Sequence, residues 1–341
     1  GRGLWPFHRS RSGDRPAPAG TVIPAGAVLP TGVPTRLVGA DGVQGKVYAV
    51  APMLAPGSLS ASIRLVSGAE LAAADTRTLQ AATMLAGRGD MMLSDTHVHI
   101  GSGFADPRTQ LFSVIRTGTG NLDLLVGDDF SMASAFGVYT AGEQLVPDAG
   151  TQLRAGTYVV ENGGDMRLVA QGDVTGYLYQ NPTSNRWFSN NYSVGNWLVR
   201  SGSDATGAPA AWSINFGQYF SMGVLGFSGI GSLGGGNVTL TAGGNAGLFH
   251  GASSGTDRLS TGLILAVGAS GYVTSVEKTA DGEVTGGTLK QAGGGDLNVR
   301  IAGWLNPQAL SNTRNFGDDF NGSFANIRGD TAIHAAIIGR V

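Results

Sequence analysis

Glycine-punctuated strand units constrain this chain more than any other feature of it. In Gly234-Gly235-Gly236-Asn237-Val238-Thr239-Leu240-Thr241-Ala242-Gly243-Gly244-Asn245, glycines and Asn237 supply the positive-φ positions that a tight corner needs. Val238, Leu240 and Ala242 alternate with Thr239 and Thr241, so one face of the strand is apolar and the other hydroxylated. The unit recurs as Gly163-Gly164-Asp165-Met166-Arg167-Leu168-Val169-Ala170 and as Gly294-Gly295-Asp296-Leu297-Asn298-Val299-Arg300-Ile301. A looser copy is Gly120-Asn121-Leu122-Asp123-Leu124-Leu125-Val126, and Ile63-Arg64-Leu65 shares the one-sided pattern.

A lone strand cannot bury such a face. Stacking successive units solves this by making parallel sheets around a continuous core. Ordinary parallel sheets are covered by helices on both faces and read as unbroken apolar runs. Here the outward positions are Thr239, Thr241, Arg167, Asn298, Arg300 and Asp123, and helical stretches are almost missing. An all-β parallel β-helix reconciles both facts, because its coils turn at Gly/Asn/Asp corners and its sheets face water. At roughly 20 residues per coil and about 4.8 Å between strands, some 15 coils make a rod of about 70 Å. The anchors Asn121, Asp165, Asn237 and Asp296 are unevenly spaced, so insertions interrupt the coils. The alternative is an antiparallel β-sandwich or barrel, in which alternation and glycine turns also occur.

Residues 1–36 read as an extended basic arm or linker, with Arg2, Arg9, Arg11, Arg15 and Arg36 against Asp14 and a proline content that disfavours helix and central pairing. Residues 37–341 read as the β-helix domain. Within it, the Ala/Leu-rich stretch 69–86 offers one plausible helix. An insertion around 177–220 concentrates the aromatics. Tyr177, Tyr179, Trp187, Phe188, Tyr192, Trp197 and Trp212 are its candidate surface-binding residues, since such rings stack on sugars and anchor interfaces. The competing expectation is that they pack the insertion against the scaffold.

Composition narrows the function classes. Hydrophobic residues make up 42% against 13% charged, with a net charge of −2, so disorder is excluded and no basic surface for nucleic acid is present beyond the N-terminus. Cysteine is absent, which removes disulfides and thiolate metal sites. Apolar runs such as Leu263–Val267 stop far short of a membrane span. No signal peptide opens the chain, which reads as a mature or excised piece of something larger.

The same motifs carry a resemblance. Arg116-Thr117-Gly118-Thr119-Gly120, Val138-Tyr139-Thr140-Ala141-Gly142, the Gly234–Gly243 unit and Gly293-Gly294-Gly295-Asp296-Leu297 resemble the C-terminal region of filamentous haemagglutinin-like large exoproteins, the cargo of two-partner secretion. The likeness covers roughly residues 110–304. It implies a right-handed β-helix, a secreted or cell-surface location on a Gram-negative bacterium, and adhesive or fibre-forming work. The secretion domain that opens such proteins has no counterpart here, and the N-terminal third has no match to them. Self-association or contact with neighbouring segments of a parent protein is expected, with surface glycans as further partners.

Enzyme-like strings are better read as structure. His97 and His99 share a strand face and can chelate zinc, but the ligands and alternating helices of an amidohydrolase-like barrel are missing, so no metal is expected. Asp128-Asp129 and Asp318-Asp319, with His250, suggest a β-helical polysaccharide hydrolase; Gly-Asp-Asp is also simply a turn. Arg88-Gly89-Asp90 and Arg328-Gly329-Asp330 match an integrin-read tripeptide that Gly- and Arg-bearing turns produce by chance. The repeats do not follow the calcium β-roll period, so neither calcium nor any other cofactor is expected.

Overall fold

A computed structural model describes residues 53–93, 114–132, 137–148, 151, 153, 157–180, 197–201, 211–216, 218–220, 223–225, 227, 229–247, 258–281, 284–306 and 322–339. The described chain is almost all β, built on parallel sheets. The glycine-punctuated units form the first ladder: Ile63–Ser67, Leu122–Val126, Met166–Ala170, Val238–Ala242, Leu297–Leu305 and Thr331–Ile338 pair in that order, every pair parallel. Register is kept residue for residue, so Leu65, Leu124, Leu168, Leu240, Val299 and Ile333 stand in one column. Sequence alternation therefore becomes a stack of like side chains.

A second ladder follows one short corner later. Met91–Leu93, Phe130–Met132, Val174–Thr175 and Ala246–Gly247 pair in parallel, and the far end of Leu297–Leu305 continues them at Leu305. The third runs through Val114–Thr117, Gly137–Thr140, Ile230–Ser232, Arg258–Val267 and Gly322–Asn326, again parallel, while the first half of Arg258–Val267 pairs antiparallel with Tyr177–Gln180. One core lies between the three. It holds Leu122, Leu124, Phe130, Val138, Leu168, Val174, Ile230, Leu240, Leu265, Leu297 and Leu305. At 20–30 cal/mol per Å² of apolar surface, these columns are the main stabilising term of the fold.

The third ladder differs from the first in having two dry faces. Tyr139, Ile264 and Ala266, which alternate with the core residues Val138 and Leu265, belong to a second cluster with Val160, Trp197, Ile214, Phe216 and Phe227. That cluster is roofed by an antiparallel sheet of Glu143–Leu145, Thr157–Glu161, Ala211–Asn215, Ala269–Lys278 and Val284–Gly293, with Leu198–Ser201 paired to Ala211–Asn215. A sheet thus takes the place that helices hold in an ordinary parallel protein.

Two expectations change in detail. The first ladder is six strands deep among the described residues, against some 15 coils expected, because much of the chain is spent on the antiparallel excursions. Among the described residues, antiparallel pairing occurs at Glu143–Leu145 with Thr157–Glu161, at Tyr177–Gln180 with Arg258–Val267, and at Ala269–Lys278 with Val284–Gly293. The Ala/Leu-rich stretch contributes a single helical turn, Ala82–Leu85. Ala86 at φ 49° ends it, and Leu85 fills the space beside Gly68, Gly89 and Gly127.

Candidate functional site

Polar side chains gather at the two corners that flank the first ladder. At the corner before it, Ser62 Oγ accepts the N–H of Asn121 (2.9 Å), Asn121 Oδ1 that of Asp165 (2.9 Å), and Asp165 Oδ1 that of Asn237 (2.8 Å). Asn237 Oδ1 accepts from Asp296 (2.9 Å), and Asp296 Oδ1 from Asp330 (3.0 Å). Each member except the last, Asp330, uses its side-chain oxygen to hold the backbone of its counterpart in the next unit. At the corner after the ladder, Asp90 holds Asp129 (3.2 Å), Asp129 holds Asp173 (2.6 Å), Asp173 holds Asn245 (2.6 Å) and Asn245 holds Trp304 (2.9 Å).

This bonding explains the glycines. A Cβ on Gly172, Gly244 or Gly303 would land on the side-chain oxygen of Asp129, Asp173 or Asn245 respectively. Glycine at these three positions lets the neighbouring unit's oxygen reach the following N–H; Asp129, preceded by Asp128, makes its bond to Asp90 without one. At the first corner the contact is with backbone: a Cβ on Gly164, Gly236, Gly295 or Gly329 would strike the carbonyl of Gly120, Gly164, Gly236 or Gly295. The Gly-Asp/Asn dipeptide is a hydrogen-bond socket repeated along the stack.

Electrostatics follow from the same crowding. The carboxylates of Asp90, Asp128 and Asp129 lie within 4.8 Å of one another. Desolvation raises the Asp129 pKa above its ordinary value, and the negative charges of Asp173, Asp128 and Asp90 add to the rise, against the N–H that Asp129 accepts from Asp173. Such a group offers oxygens to a cation, but Asp90 and Asp129 already each spend one on a backbone N–H. Between the corners, Asp123 on the wet face of the first ladder receives Arg64 (3.0 Å), Arg167 (3.1 Å) and Arg77 (3.5 Å). Exposed pairs of this kind contribute little each; they tie the 69–80 segment to the sheet.

No family model, curated protein or solved structure matches this chain. Function must therefore be argued from the residues themselves.

The aromatic candidates divide. Trp197 is 1% exposed and packs edge-on to Phe227 at 5.9 Å, so it offers no face to a sugar. Trp212 is half-buried in Ala211–Asn215, Tyr177 and Tyr179 lie on the strand Tyr177–Gln180, and Trp187, Phe188 and Tyr192 lie outside the described residues. Also outside are the 1–36 arm, His97, His99, His250, Asp318 and Asp319. Asp90 and Asp330, which end the two Arg-Gly-Asp triplets, are both members of the corner ladders.

Among the described residues, one half-buried cation escaped sequence reasoning. Arg116 lies beneath the antiparallel sheet, its guanidinium 4.9 Å from the Phe216 ring centre and 5.9 Å from that of Tyr139, with Nη2 2.9 Å from Met53 Sδ. Burial holds its pKa below the ordinary arginine value, partly countered by Tyr139 and Tyr158. Tyr139 is pushed upward by the same burial, against the pull of Arg116. Alternation in Val114-Ile115-Arg116 does place Arg116 opposite the core, but nothing local announces that this outer face is dry.

Proposed function

We propose that the three ladders are the sheets of a right-handed parallel β-helix, and that this β-helix is a structural and adhesive segment of a secreted or cell-surface bacterial protein. Each unit then contributes one strand to each ladder and one coil to the helix, with the antiparallel sheet packed along one side. The observation that carries the reading is the pair of corner ladders. Asp90, Asp129, Asp173, Asn245, Asn121, Asp165, Asn237 and Asp296 all act there as acceptors for backbone N–H groups, which is what a rigid stack needs. The wet face of the first ladder supplies Arg, Thr and Asn side chains at about 4.8 Å spacing, a surface suited to extended contact with glycans or other polymers.

Negative-stain micrographs of purified protein test the shape, and binding of protein-coated beads to cell surfaces and immobilised glycans tests the adhesive role. Elongated particles and saturable bead attachment are expected. Compact particles that attach to nothing overturn the reading. The exposed Asp90/Asp128/Asp129 group favours a second reading, a polysaccharide-active enzyme on the same scaffold. Release of reducing ends from a polysaccharide panel, lost on Asp129→Asn, would establish that reading instead.

A further inference from the structure

The two ends of the first ladder are complementary in a directional way, and we infer that copies of this chain stack head to tail through them. The inference rests on the β-helix reading and adds the surface, its polarity and its register. Among the described residues, Ile63–Ser67 pairs only with Leu122–Val126, and Thr331–Ile338 only with Leu297–Leu305, so each strand has one free edge. Free edges of flat sheets recruit strands.

The core is open at both of these ends. Leu65 belongs to the column whose middle members, Leu124, Leu168, Leu240 and Val299, are wholly buried, yet it is 36% exposed. At the other end Ile333 and Ala335 are only partly buried against that core, and Ile337 and Ile338 are 43% and 50% exposed. An occupant whose first strand is shaped like the next unit covers both faces at once. A second copy of this chain has such a strand.

The corner ladder gives the contact its direction. Each Asn/Asp oxygen accepts from the unit that follows, never from the one before, and the residue after it donates to the following unit's carbonyl, as Val238 N–H does to Asp296 O and Leu297 N–H to Asp330 O. Among the described residues Asp330 is the last member, so its carboxylate and the Thr331 N–H are left to serve a further unit, and Ser62 is the first, with its own N–H and carbonyl left over. Placing Ser62 of one copy above Asp330 of another closes both bonds and continues the column as Ile333 beneath Leu65. At the second corner Ile337 occupies the ladder column in place of Asp or Asn and extends no acceptor, so the first corner carries the polar specificity. Head-to-head contact would bring together two ends that carry no corner carboxylate, and tail-to-tail contact would bring two Asp330 carboxylates together, so only head-to-tail contact reproduces the corner bond. The association is therefore heterologous and open-ended.

The test uses the full chain. Sedimentation across a dilution series should show mass rising beyond one chain with concentration. Leu65→Lys blocks the head and Ala335→Lys the tail, so each variant alone should remain monomeric. An equimolar mixture of the two should form a dimer and nothing larger, since only one competent head meets one competent tail. Circular dichroism and melting confirm that both variants fold; should either fail to, the exposed Asp330→Ala replaces it. Removing that acceptor should weaken stacking by about fivefold to tenfold, the effect of one lost hydrogen bond, while Asp330→Asn restores it. Wild-type mass that stays at one chain throughout overturns the inference, as do variants that dimerise alone. An elongated but monomeric particle sinks the stacking and leaves the β-helix reading standing; a compact particle sinks that reading as well.

Discussion

The socket at the second corner yields a prediction that can be worked through quantitatively. Gly244 does not have a left-handed φ, so alanine there is not strained in itself. Its Cβ, however, would occupy the position of Asp173 Oδ1, which accepts from Asn245 N–H at 2.6 Å and from Asn245 Nδ2 at 3.3 Å. The carboxylate is the far end of a flexible side chain and can rotate away, so the cost is the lost bonds rather than the collision. Hydrogen bonds to a charged acceptor contribute about 1.5–3 kcal/mol. Alanine also restricts the unfolded chain, which returns about 0.4–1 kcal/mol. Gly244→Ala should therefore destabilise by about 1–2 kcal/mol. Asp173→Ala removes the same bonds and should cost a similar amount. In the double variant the bonds are already gone and the methyl meets only the Gly172 carbonyl carbon, at 3.1 Å, so the cost should lie close to that of Asp173→Ala alone. The cycle then shows a coupling equal in size to the Gly244→Ala cost, about 1–2 kcal/mol. Urea denaturation reads the totals, and hydrogen exchange at the Asn245 amide reads the corner directly, which matters because stacked repeats can unfold in parts. Additive costs, with Asn245 protection unchanged in Gly244→Ala, refute the idea that the glycine exists to admit the carboxylate.

Three further outcomes follow. Leu240→Asp places an unpaired carboxylate among Leu168 and Val299 at a wholly buried position and should cost about 3–5 kcal/mol in denaturant titration, whereas Thr239→Asp on the opposite face should stay within about 1 kcal/mol. Asp129→Asn keeps the acceptor for Asp173 N–H while removing charge. Because the folded Asp129 pKa is raised, ionisation there opposes folding, and its contribution falls away as pH rises through the window above the ordinary value of about 3.9. The variant should therefore melt at or above the parent temperature at neutral pH, with the difference vanishing in acid; a lower neutral melting temperature would contradict the assigned crowding. Trp197→Ala empties a buried position beneath the antiparallel sheet and should cost about 3–5 kcal/mol, with exchange rising first in Ala211–Asn215 and not in Met166–Ala170. Uniform loss of protection in both strands would show that the two layers unfold as one.

The repeat grammar was legible because it is local. Glycine before Asp or Asn followed by alternating apolar residues marks a corner and a one-sided strand wherever it occurs, and those strands are the ones that pair in register at Met166, Val238 and Leu297. The hairpin of Ala269–Lys278 and Val284–Gly293 also had a local signal in Asp281-Gly282, a dipeptide suited to tight hairpin turns. The number of strands in the stack was not legible, since the sequence does not say where the chain leaves the repeat and where it returns. Trp197 shows the same limit. An aromatic-rich segment has the same composition whether its rings face solvent or a neighbouring sheet.

By itself, then, the sequence determined the strand units, their inward faces and the corner chemistry, because each depends on steric demands a few residues wide. Only the tertiary structure decided that the third ladder is dry on both sides. Leu263-Ile264-Leu265-Ala266-Val267 is an unbroken apolar run, but the cluster that Ile264 and Ala266 join is built from remote residues, among them Val160, Trp197 and Ile214. The same distance hides Arg116, whose burial depends on Met53 and Phe216 arriving from opposite directions along the chain. Alternation tells a strand which way its side chains point. Whether water or another sheet waits on that side depends on how the remote segments pack.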